Sequence, residues 1–237
     1  MNTESKNTIA SNFPLSGGTK GAIKGILFDM DGVLVDSEEF ICEAAIEMFA
    51  ERGLQVKPED FLPFVGAGET RYLGGVAEKY GFAYNPERDK MRTYNIYEIK
   101  VKGKLKPLPG TLSFVSECKK AGVKMAVASS ADRVKVDINL REMGVPNDTF
   151  DAIISGSDVE HKKPNPEIFL KAASKLGLKP DECLVVEDAV NGVEAAKAAG
   201  CRCLALTTSF SAELLQKADW ITSNLSEVPE EITRQLL

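Results

Sequence analysis

The stretch GILFDMDGVLVDS, residues 25–37, is the most informative segment for predicting the fold of this chain. It begins with a short apolar run bounded by glycine, a pattern typical of a buried strand in a parallel sheet. Two carboxylates, Asp29 and Asp31, follow the run, and in such sheets ligands bind at the carboxyl ends of the strands. Residues two positions apart face the same way in an extended chain, and Gly32 allows a tight turn behind them. The stretch therefore predicts a strand that ends in two converging carboxylates.

Two adjacent carboxylates repel each other unless a cation lies between them or one of them is protonated. A divalent cation beside Asp29 and Asp31 is the simplest solution to this repulsion. The alternative is an Asp-rich turn at the end of a strand, because Asp and Gly are ordinary turn residues. Taken alone, the stretch leaves both interpretations open.

The composition is that of a globular protein with a sizeable core: 237 residues, 43% hydrophobic and 27% charged. The net charge of -6 and the pI near 5.1 argue against a nucleic-acid or anionic-membrane partner, since phosphate backbones are bound by basic surfaces. No apolar stretch approaches the roughly 20 residues of a membrane span, and no secretory leader is apparent. We expect a small-molecule substrate and a monomeric protein.

The cysteine and histidine content limits the chemistry further. The five cysteines are scattered and lack a CxxC spacing, which argues against a disulfide framework or a thiolate zinc site and favours a reducing, cytoplasmic location. His161 is the single histidine, so a site built from several histidines is not possible and a Ser-His-Asp triad would have to use this one residue. Carboxylates must therefore carry the acid and base work.

Hydrophobic patterning divides the chain into three parts. Residues 1–20 are rich in Ser, Thr, Asn and Gly and are expected to form a flexible tail. Residues 38–104 keep a helical period, with Asp36 and Glu39 spaced as an N-cap and its reciprocal glutamate. From residue 105 short apolar runs alternate with helical segments, which predicts about six parallel strands. The predicted fold is a doubly wound, Rossmann-like α/β core (21–37 plus 105–237) interrupted by a helical cap domain (38–104).

Two later strand ends carry groups that bind anions. Ser129 and Ser130 follow the run MAVA and are predicted to start the next helix, where a hydroxyl and backbone amides form an anion site. Helix capping by serine is the alternative. The segment KKPNP places Lys162 and Lys163 before prolines that fix the path, with one lysine at the head of a helix. The helix dipole disfavours a lysine at the start of a helix unless an anion lies nearby, so the segment suggests an anion site. A solvated basic turn is an equal alternative.

A fourth strand end adds two more carboxylates, Glu187 and Asp188, after the run CLVV. Oxygen ligands from Asp29, Asp31 and Asp188 suit Mg²⁺, which keeps waters and borrows oxygens from a phosphate. Each motif also has a turn or capping interpretation by itself. Those interpretations do not explain why all four motifs follow different strands of one predicted sheet.

Together the motifs DMDGVLVDS, VASS, KPNP and VVEDAVNGVEAAKAAG, which start at residues 29, 127, 163 and 185, resemble the haloacid dehalogenase-like (HAD) superfamily. The helical insert resembles the cap of the β-phosphoglucomutase and phosphoglycolate phosphatase-like (CbbY-like) branch. The resemblance implies that Asp29 is a phosphoryl-accepting nucleophile and Asp31 the general acid and base. It also implies Ser129, Ser130 and Lys163 around the substrate phosphate. The implied Mg²⁺ ligands are Asp29, the Asp31 carbonyl and Asp188, with Glu187 bound directly or through water.

The expected activity is a Mg²⁺-dependent phosphatase acting on a small phosphorylated metabolite, with the cap selecting the substrate. A β-phosphoglucomutase-like mutase is the alternative, and a non-enzymatic binding module is disfavoured because the three key residues are all present. The histidine and the basic pair of the mutases fall at Ile41, near Glu69 and near Thr93, with Arg71 and Arg92 close by. An acidic Glu69 would repel a second phosphate, so hydrolysis is expected over isomerisation.

Overall fold

The computed structural model describes residues 21–146 and 148–236, so the predicted tail, 1–20, lies outside the described residues. Its centre is a six-stranded, all-parallel sheet in the order β3-β2-β1-β4-β5-β6. The strands are β1 Gly25–Phe28, β2 Lys124–Ala128, β3 Ala152–Ile154, β4 Cys183–Glu187, β5 Arg202–Leu206 and β6 Trp220–Thr222. The sequence prediction of a parallel α/β sheet is confirmed.

The register of the central strands brings their carboxyl ends to one level. Phe28 of β1 pairs with Val127 of β2 on one side and with Val186 of β4 on the other. The chain runs outward from β1 through β2 to β3 and then crosses to β4 on the opposite side of β1. The end of β1 is therefore the switch point of the sheet, which is where parallel α/β sheets open a binding crevice.

Both faces of the sheet are covered, as a parallel sheet requires. Side chains of β1 alternate between the two buried clusters: Ile26 and Phe28 belong to one and Leu27 to the other. The flanking helices are α4 Thr111–Lys120, α5 Arg133–Met143, α6 Glu167–Leu176 and α7 Val190–Ala199, with the short α8 Glu230–Thr233 near the end. Helices α4 and α5 contribute to the first cluster, whereas α6 and α7 contribute to the second. β1 is consequently buried from both sides and rigidly placed.

The segment 38–104, here called the helical insert, separates β1 from α4. It contains the helices α1 Glu38–Glu51, α2 Glu69–Lys79 and α3 Pro86–Val101, and 3-10 turns at Pro58–Asp60 and Leu62–Phe64. All its residues are described, and none lies in a strand, as the helical period predicts. Within the described part of the chain, no helix has the length and apolar character to cross a membrane.

Three local predictions need correction. The predicted N-cap Asp36 is wrong by one residue: α1 begins at Glu38 after Ser37, whose hydroxyl donates to Asp31 instead of capping the helix. Ser129 and Ser130 do not start a helix, because α5 begins only at Arg133. Lys163 likewise precedes the first residue of α6, Glu167, by four residues. The Lys163 side chain contacts Asp29 and Glu187, whereas the Ser129 hydroxyl accepts from the nearby Ala131 N–H, and neither caps the following helix.

Candidate active site

One pocket at the carboxyl edge of the sheet collects the predicted site residues. They come from four segments far apart in the sequence, which the strand register brings to the same level. All seven line the pocket: Asp29, Asp31, Ser129, Ser130, Lys163, Glu187 and Asp188. The location that the sequence predicts for the site agrees with this pocket, and the functional role of each residue stays a prediction.

Asp29 is held at the end of β1 by its neighbours on both sides. Its backbone N–H donates to the Val186 carbonyl at 3.0 Å, which continues the β1–β4 ladder by one residue. The Lys163 ammonium lies 2.5 Å from one Asp29 carboxylate oxygen and 2.5 Å from a Glu187 oxygen. The Lys163 side chain is only 4% exposed, and its Nζ also lies 4.9 Å from the centre of the Phe169 ring. It is therefore a buried cation and not part of a solvated turn.

The charge balance around Asp29 is unusual for a carboxyl group. Burial raises its pKa from 3.8 to about 7, against the opposing effect of Lys163 and with a smaller contribution from Glu187. Burial by itself lowers the pKa of Lys163, but the attraction of Asp29 and Glu187 outweighs it, so that pKa is raised. Burial and the two neighbouring carboxylates raise the pKa of Asp188 as well. The site therefore holds more negative charge than its lysine compensates.

Asp31 faces the same pocket but has different partners. One of its carboxylate oxygens accepts from the Ser37 hydroxyl and, at 3.4 Å, from the Asn139 side-chain amide. The other accepts from the Lys135 ammonium at 2.7 Å. The two aspartates are thus close in space and separately held, which permits two different chemical roles.

Ser129 and Ser130, which follow β2, line the pocket. Ser129 is buried, its backbone N–H donates to the Ile154 carbonyl, and its hydroxyl oxygen accepts from the Ala131 N–H at 3.1 Å. The Ser130 carbonyl accepts from Lys162, whose Nζ also donates to the Gly156 carbonyl at 2.9 Å. Of the two adjacent lysines, Lys163 contacts the carboxylates, and Lys162 links the backbone at Ser130 to that at Gly156.

Both carboxylate oxygens of Glu187 accept hydrogen bonds from the protein. One oxygen accepts from Lys163, and the other accepts from the backbone N–H groups of Asp188 and Ala189 at 3.0 and 3.1 Å. A Cβ at Gly192 would lie 2.0 Å from this carboxylate, so glycine is required there for helix α7 to approach. Glu187 therefore orients Lys163 and the Asp188 loop, which favours contact with a metal through water over direct ligation.

Asp188 packs tightly against the turn behind Asp31. Gly32 has φ +77°, and a Cβ there would lie 1.9 Å from an Asp188 carboxylate oxygen and 3.0 Å from the Ser209 hydroxyl. The tight turn predicted at Gly32 is confirmed, and its second role is to let Asp188 approach. Asp188 is thereby aimed into the pocket beside Asp29.

The donor set fits a Mg²⁺ ion. Within residues 21–146 and 148–236, no three Asp, Glu, His or Cys side chains are arranged as a ready metal-binding shell. Magnesium does not need one, because it is commonly bound by one or two carboxylates and completes its octahedron with waters and substrate oxygens. Burial, with a further contribution from neighbouring carboxylates, raises the pKa values of Asp29 and Asp188, and a divalent cation beside these two carboxylates would favour their ionised forms.

The helical insert supplies the opposite wall of the pocket. Val65, Gly66, Gly68 and Glu69 line it, and Ile41 lines it from α1. Thr93, the third aligned position, and the neighbouring Arg71 and Arg92 are not among the residues that line the pocket. Thr93 is buried and donates to the Asp89 carbonyl, whereas Arg71 and Arg92 form exposed ion pairs with Glu78 and Glu51.

The sequence interpretation missed Lys135 and Asn139, which contact Asp31 from helix α5. Both are buried, at 3% and 0% exposure, on the same helix face as Val136 and Ile138. Their spacing of four residues places them one turn apart. A lysine and an asparagine on the apolar face of a helix that follows a strand end were the available signal, because such residues are seldom buried without a partner.

Comparison with known proteins assigns the chain to a family. The sequence model described as "haloacid dehalogenase-like hydrolase" matches residues 23–200, three quarters of the chain. The chain belongs to this family. It is therefore a HAD-type hydrolase, an enzyme of the phosphatase class.

Individual relatives agree with this assignment. The protein SUPPRESSOR OF QUENCHING 1, chloroplastic, of Arabidopsis thaliana is 47% identical over 84% of this chain, which spans only 19% of that relative's length. Hexitol phosphatase A of Escherichia coli is 29% identical over 90% of this chain and 95% of its own length. An aspartate-to-asparagine variant of CbbY from Rhodobacter sphaeroides, crystallised with xylulose-1,5-bisphosphate, superposes with a TM-score of 0.79 at 27% identity. The match covers 87% of this chain and 96% of CbbY.

Proposed function

We propose that the protein is a Mg²⁺-dependent phosphatase that hydrolyses a small phosphorylated sugar or polyol through an aspartyl-phosphate on Asp29. The observation that carries the proposal is the pairing of buried Asp29 with the buried ammonium of Lys163 at the switch point of the sheet. Asp31, held independently by other donors, lies in the same pocket. A nucleophile and a separate acid are what two-step phosphoryl transfer requires.

In the first step, an Asp29 carboxylate oxygen attacks phosphorus while the bond to the substrate oxygen breaks. Asp31 protonates the departing alkoxide, so the alcohol leaves neutral. In the second step, Asp31 takes a proton from a water that attacks the aspartyl-phosphate, which releases inorganic phosphate and restores Asp29. Lys163 and the Ser129 and Ser130 groups would hold the phosphoryl oxygens and offset their repulsion of the nucleophile.

Mg²⁺ would be held by the carboxylates of Asp29 and Asp188 and by the backbone carbonyl of Asp31, with Glu187 acting through water. Bound there, the ion supplies positive charge that neutralises the phosphoryl group and the carboxylates facing it. Lys163 contacts Asp29 and Glu187, yet burial and the neighbouring carboxylates still raise the pKa values of Asp29 and Asp188, so a second cation is needed to keep both groups ionised. The proposal therefore requires activity to depend on the metal.

The charged residues of the pocket favour a monophosphate substrate and hydrolysis over isomerisation. Seven carboxylates line the pocket against two cations, Lys135 and Lys163, and both lysines already pair with carboxylates. No other cation lies among the described residues that line it. A second phosphate, which a mutase must hold, would meet Glu69, whose basic neighbour Lys135 is already paired with Asp31. The name of hexitol phosphatase A supports a sugar or polyol as the remainder of the substrate. The CbbY variant was crystallised with a sugar bisphosphate, so a pentose bisphosphate is the competing substrate class and belongs in the test.

The cellular setting belongs to the proposal as well. We place the protein in a reducing compartment as a monomer without a nucleic-acid or membrane partner. The five cysteines are free, which supports reducing conditions. The cytoplasm remains our prediction, although the name of the Arabidopsis relative places that protein in the chloroplast, another compartment to test.

The test is a panel of hexose, pentose and hexitol monophosphates, a pentose bisphosphate, phosphoglycolate, nucleotides and pyrophosphate, assayed for inorganic phosphate with and without Mg²⁺. We expect Mg²⁺-dependent release from sugar or polyol monophosphates and none from the Asp29→Asn variant. β-Glucose 1-phosphate separates the two activities: hydrolysis releases phosphate, whereas a mutase forms glucose 6-phosphate. Efficient formation of glucose 6-phosphate, stimulated by glucose 1,6-bisphosphate, would replace the phosphatase proposal with the mutase.

A further inference from the structure

Lys135 lies in the pocket wall between the sheet and the helical insert, and none of the roles above uses it. Its side chain is 3% exposed. Its Nζ lies 2.7 Å from Asp31 at the sheet edge and 3.7 Å from Glu69 at the start of α2 in the insert. The same Nζ lies 5.8 Å from the centre of the Tyr97 ring of α3. Lys135 therefore contacts both walls of the pocket at once.

The ammonium of Lys135 is committed to these two carboxylates. An ammonium buried without a partner is costly, whereas here two anions surround it. Burial lowers the pKa of Lys135, but Asp31 and Glu69 outweigh the burial, so the pKa is raised and the side chain stays charged. A lysine already paired with two acids is not a free receptor for a substrate anion.

The contacts of Asp31 indicate what this lysine does. Lys135 and Asn139, one turn apart on α5, donate to different oxygens of the Asp31 carboxylate, and Ser37 donates from the start of α1. Three donors on two elements fix both the position and the rotation of this group. A general acid must lie within hydrogen-bond distance of the oxygen that leaves, so its orientation controls the rate.

We propose that Lys135 is a positioning residue that holds Asp31 for proton transfer and, through Glu69, links that position to the seating of the insert. This inference rests on the proposed function, because it presumes that Asp31 is the general acid. Glu69 also accepts from the Asp132 N–H at 3.3 Å, which fixes the insert loop to the start of α5. Movement of the insert would therefore change the surroundings of Lys135 and, with them, the placement of Asp31.

The test compares two substrates that differ in their need for an acid. An alkyl phosphate, such as the best sugar phosphate of the panel, leaves as an alkoxide that must be protonated. p-Nitrophenyl phosphate releases a stabilised phenolate that leaves without a proton. The constant kcat/KM reports only the transfer to Asp29, so the later hydrolysis step does not enter. For Lys135→Met we expect kcat/KM to fall at least about tenfold further for the alkyl phosphate than for p-nitrophenyl phosphate.

The matched control is Lys90→Met. Lys90 of α3 lies 2.5 Å from Asp132, so it also joins the insert to the start of α5, and it does not line the pocket. Its loss should change kcat/KM for the two substrates by the same factor. If Lys135→Met does not fold, the double variant Lys135→Met/Glu69→Gln removes the unpaired insert carboxylate as well and is expected to give the same selective loss.

The outcomes separate the two proposals. Equal losses on both substrates, or no loss at all, would overturn the positioning role, since damage to the fold, to phosphate binding or to metal binding affects both substrates alike. A wild-type enzyme that hydrolyses neither substrate, or an Asp29→Asn variant that keeps its activity, would overturn the proposed function itself. A selective loss in Lys135→Met with equal factors in Lys90→Met supports the inference.

Discussion

Replacing Asp29 by Asn should abolish activity and stabilise the metal-free protein. The amide is a poor nucleophile, so turnover depends on the carboxylate. The same carboxylate is buried beside Glu187 and Asp188, and its ionisation opposes folding despite its contact with Lys163. In the variant, Lys163 keeps Glu187 as its partner, so no buried cation is left unpaired.

The size of the effect follows from the pKa of Asp29. The native pKa is about 7, against 3.8 in the unfolded chain, so the native protein binds this proton more tightly. Wild-type stability is therefore lost as the pH rises from about 4 through 7, by about 1.4 kcal/mol for each pK unit and about 4 kcal/mol in total. The Asp29→Asn variant lacks this dependence. Its advantage should be near its maximum at about pH 8 and should disappear near pH 4.

The difference in unfolding free energy between the variant and the wild type is measured by urea unfolding in EDTA. Unfolding is monitored by circular dichroism and by the fluorescence of Trp220, the single tryptophan. The comparison is made at several pH values between about 4 and 8. Asp36→Asn removes the same charge from an exposed side chain of the same pocket and is the matched control. An Asp29→Asn protein that is less stable than wild type at high pH, or a difference independent of pH, would refute the argument that burial dominates at Asp29.

Three further predictions concern the site and the insert. Lys163→Ala should reduce kcat/KM much more than Lys162→Ala, because only Lys163 contacts Asp29, and equal losses in the phosphate-release assay would contradict this assignment. Excess EDTA should abolish activity, with Mg²⁺ restoring it and Ca²⁺ inhibiting, since the larger ion misplaces the phosphate; full activity in EDTA would end the metal proposal. Asp60→Asn should destabilise the insert by about 1–2 kcal/mol at neutral pH in urea unfolding, because it weakens the contacts with Lys79 and Tyr80. Those contacts lower the pKa of Asp60 to about 2, so the wild-type advantage should shrink as the pH falls from 4 towards 2, and an advantage unchanged there would argue against them.

The sequence carried enough information to predict the fold and the place of the site. Strands and helices follow from local hydrophobic periods: the apolar runs MAVA and CLVV, which predicted strands, lie in β2 and β4. The pocket was predictable because parallel strands end at one edge, so polar residues after different strands must lie near one another. Local periodicity also identified the insert as wholly helical.

Capping was the least successful part of the sequence interpretation. The signals at Asp36, Ser129 and Lys163 suggested helix starts, but the helices begin later, at Glu38, Arg133 and Glu167. A capping signal depends on the side chain having no stronger partner. Ser37 illustrates this, because its hydroxyl donates to Asp31, which the folded chain places within reach.

Local sequence patterns therefore predicted the order of the elements, the sheet edge where the pocket lies, and the carboxylates and lysines available there. Which of these groups contact one another depends on the tertiary structure: Lys163 contacts Asp29 and Glu187, and Lys135 contacts Asp31 and Glu69. The partners in these contacts lie up to 134 residues apart. Their meeting depends on strand order and on how α5 and the insert pack, and local residue patterns do not encode those distances.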